Sequence, residues 1–339
     1  MLKLKVGELS EGMIVASDVY VSGINIPVVR GGVVLSRTYI EKIKKHGVAF
    51  IHIETSDNYK GNSGESITLG SIEKDVIFEG KVQVSGYVKS DIKIEAGESI
   101  IIDGNITEGC VFSSKRGAIA VKGSMHGNID NPVNLTARQN ITMGSASFAI
   151  IKTDGDFSAT GDIIDTNVVA RGEVKIGGKI LRGQIQTQSR MVLGGCGSEE
   201  SGQIMLVVKP LEFQELMQEL LKIDTTVSGL AKEKEGLQNI IDLLKKIGKA
   251  IDQLPQEKKL EFAKGVKRFK DIEGEVVALD SRKADIKGEI DRLLSVRRII
   301  VNGDIFPGTI VSIGNSRLTI TAKSSRLSFC VKDNKITAE

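Results

Sequence analysis

The sequence contains no tryptophan, and all of its aromatic residues together make up only 4% of the chain. Aromatic side chains are the largest fillers of wide hydrophobic cores, so their scarcity favours a narrow interior filled by aliphatic residues. Cysteine is also rare: Cys110, Cys196 and Cys330 form an odd trio without Cys-x-x-Cys spacing. This pattern favours a reduced compartment over a disulfide framework or a zinc site.

An excess of one charge and long apolar runs are missing as well. The 46 lysines and arginines nearly balance the 43 aspartates and glutamates, for a net charge of +3, so no strong field draws the chain to nucleic acid or to a membrane surface. The first residues, MLKLKVGELSEGM, lack the apolar run of a signal peptide, and no stretch approaches the length of a membrane span. We therefore expect a cytoplasmic protein without a nucleic-acid partner or an integral membrane segment.

Glycine and proline mark changes of architecture along the chain. Residues 70–202 hold 20 of the 37 glycines, whereas 211–298 alternate charged and aliphatic residues. Pro210, Pro255 and Pro307 stand at the start, in the middle and after the end of this charged part. The predicted segments are a small α/β module (1–58), a polar linker (59–69), a β-helix (70–209), a coiled-coil helical hairpin (210–298) and C-terminal strands that cap the β-helix (299–339).

The first segment predicts a small α/β module. Strand patterns at Met13–Tyr20, Val33–Leu35 and Phe50–Ile53 flank a helical pattern, Tyr39, Ile40 and Ile43, that ends at Gly47. The runs ELSEGMIVASDVY at 8–20 and RGGVVLSRTYIEKIKKHGVAFIHIE at 30–54 are similar to the small domain often found N-terminal to HD-GYP phosphodiesterase domains. His46 and His52 have no carboxylates at metal-ligand spacing, so no metal site is expected there.

Seven short strands, each opened and closed by small residues, repeat through the second segment. Their first inward apolar residues recur every 16 to 22 residues, which is about one coil of a solenoid. Apolar and polar residues alternate within each copy, so one face points inward. We therefore predict a single-stranded β-helix of about seven coils, with this inward column: Val82, Ile100, Ile119, Ile141, Phe157, Val174 and Met191. The strict hexapeptide period of left-handed acyltransferase helices is missing, which favours a right-handed coil.

A β-helix could also be a carbohydrate-active lyase or hydrolase, which would need convergent carboxylates. The densest acidic cluster is Asp154, Asp156, Asp162 and Asp165, but these residues lie beside glycines at corners, where aspartate forms local turn hydrogen bonds. His126 occupies a similar corner. The glycines around Cys196 lack the lysine of a phosphate-binding loop. We expect no catalytic, cofactor-binding or metal-binding residues.

The third segment has a heptad pattern of apolar residues on both sides of Pro255, interrupted mainly by Lys234, Gly248 and Lys283. Two long helices joined by a short turn predict an antiparallel hairpin. Its 18 basic and 17 acidic residues are interspersed, as on a solvated face. A basic cluster remains as the candidate site for an acidic protein partner: Lys264, Lys267, Arg268 and Lys270.

The order of these parts resembles the flagellar assembly protein A (FapA) family. The resemblance rests on repeats of the form A-G-x-I-x-V-x-G, the GCGS at 195–198, the heptad hairpin and, most specifically, VNGDIFPGTIVSIGN at 301–315. The repeats alone would also fit bactofilins or the C-terminal domain of the division inhibitor MinC. The resemblance implies a bacterial, non-enzymatic, polymer-forming scaffold connected with flagellar assembly or polar organisation. It would be cytoplasmic, and reach a pole or a membrane through partners.

Overall fold

A computed structural model describes residues 2–11, 13–20, 27–31, 33–53, 65–200, 202–248 and 255–339. The chain forms two compact units. The first contains Met1–Lys209, Arg297–Cys330 and Lys335–Glu339, and the second contains Pro210–Val296 and Val331–Asn334. Most of the predicted linker, residues 59–64, lies outside the described residues.

The N-terminal module packs one helix and a two-stranded sheet around its own core. Strand β1 (Leu2–Lys5) pairs antiparallel with β2 (Phe50–Ile53), and helix α1 (Arg37–Lys45) begins where the Ser36 hydroxyl accepts the Tyr39 N–H. Ile40 and Ile43 face the core as predicted, and Gly47 has a positive φ of 70°. The other two predicted strands form only isolated bridges, such as Ile14 with Val34.

The main body is a β-solenoid with two principal stacks of parallel strands. The first sheet contains β3 (Ser66–Leu69), β5 (Lys81–Val84), β7 (Ile100–Ile102), β10 (Ile119–Val121), β13 (Ile141–Met143), β16 (Phe157–Ala159), β19 (Val174–Ile180), β21 (Met191–Cys196) and β23 (Ile299–Ile305). The second contains β4 (Val76–Phe78), β6 (Lys93–Ala96), β9 (Val111–Ser114), β12 (Val133–Ala137), β15 (Ala149–Thr153), β18 (Thr166–Ala170), β20 (Gly183–Thr187), β22 (Ile204–Val208) and β24 (Thr309–Ile313).

Shorter strands complete the coils and the C-terminal end. Two-residue strands stack as β8 (Ile106–Thr107), β11 (Met125–His126), β14 (Ala146–Ser147) and β17 (Ile163–Ile164). At the C-terminal end, β25 (Ser316–Thr319) pairs antiparallel with β24, and β26 (Ser324–Lys332) pairs antiparallel with β23; β27 (Lys335–Ala338) follows. These antiparallel strands end the parallel stacking at both sheets.

The predicted inward column is confirmed at every strand pair. Each of its members pairs with the next, from Val82 with Ile100 through to Val174 with Met191, and all seven are fully buried. Ile67 and Ile299 extend the column by one strand at each end, so nine strands are stacked with eight steps between them, compared with about seven predicted coils. The described solenoid therefore has about eight turns, and its first strand begins at Ser66 inside the predicted linker. The right hand of the coil stays a prediction.

Corner side chains connect one coil to the next. Asn140 Oδ1 accepts the Asp156 N–H at 2.9 Å, and Asp156 Oδ1 accepts the Glu173 N–H at 2.7 Å. A Cβ on Gly172 would lie 2.1 Å from that same Asp156 oxygen. Glycine is thus needed at this corner because the side-chain acceptor of the previous coil occupies the space of a side chain.

The second unit contains two long helices, α2 (Leu211–Ile247) and α3 (Gln256–Ser295), which pack on each other. The buried residues of α2, Phe213, Leu220, Ile223 and Leu230, all follow the predicted heptads. In α3 the buried Ile272, Ile286 and Ile290 follow them, whereas Gly265 and Leu294 are buried off the pattern and the predicted Leu293 is only half-buried. The coiled-coil hairpin is confirmed. The break was predicted at residues 254–259. Leu254 lies outside the described residues, but Gln256–Lys259 already belong to α3, so this part of the predicted break is helical.

The hairpin is an insertion into one corner of the solenoid. Strands β20 and β21 are joined by residues 188–190, whereas β22 and β23 are joined by residues 209–298. Despite this difference, the Arg298 carbonyl accepts the Met191 N–H just as the Arg190 carbonyl accepts the Val174 N–H, both at 3.0 Å. The chain therefore resumes the coil in register after the insertion.

Candidate partner-binding site on the helical hairpin

Three of the four predicted basic residues form an exposed stripe on α3. Lys264, Lys267 and Lys270 are exposed, and their three-residue spacing keeps them within about 120° of the helix circumference. No ion pair joins any of them to a carboxylate among the residues described. Their charges are therefore available to an acidic partner.

Arg268 lies in the same stretch but is bonded within the hairpin. Its Nε and Nη2 donate to both carboxylate oxygens of Glu233 at 2.7 and 2.8 Å, and its Nη1 donates to Glu275 at 2.7 Å. The hydrogen bonds from Arg268 are the main cause of the lowered pKa of Glu233. Bidentate pairs of this kind fix geometry, so Arg268 helps to set the register of the two helices.

The same arrangement recurs fourteen residues along each helix. Arg282 donates through Nε and Nη2 to Glu219 of α2 at 2.9 and 3.1 Å, and through Nη1 to Glu289 at 3.2 Å. Because fourteen residues are two heptads, the two arginines occupy equivalent positions. A slip of the helices by one residue would break both sets of bonds together.

The polar interruptions of the heptads also have partners across the hairpin. Lys234 donates to Glu273 at 2.9 Å, and its ammonium lies 4.8 Å from the centre of the Phe269 ring. Lys283 donates to Asp224. Long aliphatic stems allow these lysines to cover the seam while the charges remain at its edge.

The four acidic corner residues do not converge on one site. Asp154 pairs with Arg138 and Arg171 at 2.5 and 2.9 Å, and Asp165 pairs with Arg182 at 2.6 Å. Asp156 and Asp162 each accept a backbone N–H from the next coil, seventeen residues on, at 2.7 Å. They are corner residues as predicted, but their partners belong to neighbouring coils rather than to the local turn.

Two substitutions of Asp156 test whether its side chain stabilises the solenoid as a hydrogen-bond acceptor. Asp156→Asn should keep the stability of wild type because an amide oxygen accepts the Glu173 N–H equally well, as Asn140 does one coil earlier. Asp156→Ala should cost about 1 kcal/mol, the net value of one hydrogen bond. Urea unfolding of the two variants measures the difference. Equal loss in both would show that the carboxylate charge matters, and not the acceptor.

The geometry gives little support for a catalytic role of His126 or of the three cysteines. The His126 Nδ1 lies 3.4 Å from the Ser147 hydroxyl in a shallow cleft that also contains Asp162, whose Oδ1 already accepts the Lys179 N–H. Cys196 is the last residue of the buried strand β21 and does not lie in a phosphate-binding loop. Burial raises the pKa of its thiol to about 12, so the thiol stays protonated at neutral pH. Cys110 and Cys330 are buried as well.

No group of three or more histidine, cysteine, aspartate or glutamate side chains in the described ranges is arranged to hold a metal ion. Within the same ranges, no helix combines the length and apolar character needed to cross a membrane.

The fold defines the class of protein: a β-solenoid with a helical hairpin inserted into one of its last corners. Residues 65–336 match the family model of the FapA (Flagellar Assembly Protein A) β-solenoid domain. Because this match spans most of the sequence, the chain belongs to the FapA family. Neither the curated proteins nor the solved structures contain a match to it. The resemblance of residues 1–58 to the domain that precedes HD-GYP domains stays a prediction.

Proposed function

We propose that the chain is a non-enzymatic cytoplasmic scaffold connected with flagellar assembly or polar organisation. It associates with itself and holds a protein partner on its helical hairpin. The observation that carries this proposal is the FapA family match over residues 65–336. A polar or membrane-associated position would then be reached through the partner.

Two structural features support a scaffold over an enzyme. The four acidic corner residues are engaged in coil-to-coil bonds and ion pairs, so these four do not form the convergent carboxylate pair that glycoside cleavage requires. The hairpin adds 37 and 40 helical residues to a corner that other coils close with two to four. At 1.5 Å per residue it extends about 55 to 60 Å, which gives a partner a long surface.

The exposed lysine stripe is the proposed contact for an acidic partner. Reversing three charges with Lys264→Glu, Lys267→Glu and Lys270→Glu should remove most of the partner captured from the native cytoplasm, because opposite charges would become like charges. The measurement is a pull-down with quantitative mass spectrometry at physiological salt. The hairpin should stay folded because none of the three lysines is ion-paired within the part of the chain described.

A matched control carries the same change of charge elsewhere on the hairpin. Lys222, Lys232 and Lys287 are also exposed, and their triple reversal to glutamate should leave capture of the partner intact. Equal loss of partner from both triple variants would show that net charge, and not the stripe, is recognised. Unchanged capture by the first variant would refute the stripe as the contact.

A further inference from the structure

The second sheet of the solenoid has a continuous outward surface. In strands β9, β12, β15, β18, β20 and β22, alternate residues point inward to the core, and the remaining two positions of each strand form two outward columns in register. We call these twelve residues the outer face: Val111, Ser113, Asn134, Thr136, Ile150, Lys152, Asn167, Val169, Gln184, Gln186, Met205 and Val207.

The outer face is accessible. Each of its twelve residues is exposed or half-buried, and the apolar Val111 and Val169 reach 37% and 40% exposure. Each of the twelve residues therefore keeps accessible surface, although Ile310, which continues one column on β24, is buried.

The outer face carries almost no charge, and it ends at β6, where its two columns continue with the ion pair Lys93–Glu95 at 2.6 Å. Lys152 is the single charged residue among its twelve, although charged residues make up 26% of the sequence. The charges of these coils lie instead at the corners, where Asp154 binds Arg138 and Arg171. An exposed sheet surface of apolar and amide side chains is unusual for a region that meets only water, and is typical of an interaction surface.

The chemistry of the outer face selects the kind of partner. One lysine cannot neutralise a nucleic acid or bind an anionic membrane, and the face has no aromatic platform for sugar rings. A second copy of the same uncharged surface meets no like-charge repulsion apart from Lys152, and two sheets pack face to face at about 10 Å. Amide side chains from Asn167 and Gln184 can hydrogen-bond across such a contact.

We propose that the outer face is a lateral self-association surface, through which two copies of the chain pack sheet against sheet. This inference rests on the proposed scaffold function and names the surface for it. Six strands of about five residues present roughly 450 Å2 per copy. The total of about 900 Å2 lies below the usual size of stable interfaces, so the contact should be weak and depend on concentration.

Lys152 is compatible with this contact because of its position. It lies in the outward column nearer the carboxyl ends of the strands, two residues before the corner at Asp154. A four-carbon stem lets the ammonium reach the solvated rim while the methylene groups remain in the contact. The other eleven outer-face residues are uncharged, so none of them has to bring a charge to the solvated rim.

The test places a charge at the centre of the outer face in the full-length chain. Asn167 is exposed, and its register neighbours Ile150 and Gln184 are uncharged. Asn167→Glu and Asn167→Lys should each weaken self-association by at least about tenfold, because either charge would be buried without a partner. Thr142→Glu and Thr142→Lys are the controls, since Thr142 is exposed on the first sheet. Sedimentation velocity over a range of concentrations gives the dissociation constants.

Cross-linking provides a second readout. The three native cysteines are buried, so Asn167→Cys adds an accessible thiol that a short bis-maleimide should couple between two copies, whereas Thr142→Cys should remain uncoupled. If wild type associates and all four charged variants associate as tightly as wild type, the outer face is refuted as the contact and the scaffold proposal stands. If wild type stays monomeric at high concentration, self-association is refuted, and the outer-face proposal with it; the scaffold proposal falls too if this monomer captures no partner.

Discussion

Gly97→Ala should destabilise the solenoid by roughly 3 kcal/mol, a loss typical of overpacking a tightly filled site. An added Cβ would lie 2.0 Å from the carbonyl oxygen of Glu79 in the preceding coil, and 2.6 Å from its carbonyl carbon. The clash cannot be relieved by a side-chain rotation because both atoms belong to the backbone. Moving the backbone would strain the bonds from the Gly97 N–H to Phe78 and from the Glu98 N–H to Gly80, of 2.7 and 3.1 Å.

Gly70→Ala is the matched control for this prediction. Gly70 follows a strand of the same solenoid, but an added Cβ there meets no atom within 4 Å. Its alanine variant should match wild type or be slightly more stable, because alanine restricts the unfolded chain. Hydrogen exchange of the amides in β5, β6 and β7 reports the local stability of these coils. Unaltered protection in Gly97→Ala would contradict the close stacking of the corners.

Ile272→Asp should unfold the helical hairpin. Ile272 is fully buried in the seam between the two helices. The substitution removes a large apolar side chain, which costs about 2 to 5 kcal/mol, and adds a carboxylate that must be desolvated or protonated. The helical circular dichroism signal should fall sharply, whereas the β-sheet amides of the solenoid should keep their protection from hydrogen exchange.

Val277→Asp controls for the change of charge on the same helix. Val277 is 69% exposed, so an aspartate there remains solvated and should change the melting temperature of the hairpin little. A hairpin that tolerates Ile272→Asp as well as Val277→Asp would not be held together by the seam. A loss of solenoid protection in Ile272→Asp would show that the two units do not fold independently.

Several features could be predicted from the sequence because they follow from residue spacing. The inward column from Val82 to Met191 was read correctly since each strand has a period of two and each coil repeats its small corner residues. Most buried residues of the hairpin follow the predicted heptads for the same reason, but Gly265 and Leu294 of α3 do not. The first coil was missed because Ser66–Leu69 follows a polar stretch and has no earlier copy to pair with.

The partners of individual polar groups could not be predicted from spacing. Asp156 was expected to bond within its own turn, but its carboxylate accepts the N–H of Glu173, one coil later. Arg268 was grouped with three neighbouring lysines, although its guanidinium is directed to Glu233, thirty-five residues earlier. In both cases the bond depends on the register of two elements, which a local pattern does not contain.

The sequence by itself determined the period of the solenoid, the antiparallel hairpin and which residues lie at corners. Each of these features is set by neighbours within about one coil or one heptad. Only the tertiary structure decided which side chains share a surface. The second-sheet residues Asn134, Ile150, Asn167 and Gln184 are separated by 16 or 17 residues and form no local motif. They become one uncharged column because parallel stacking places them in register.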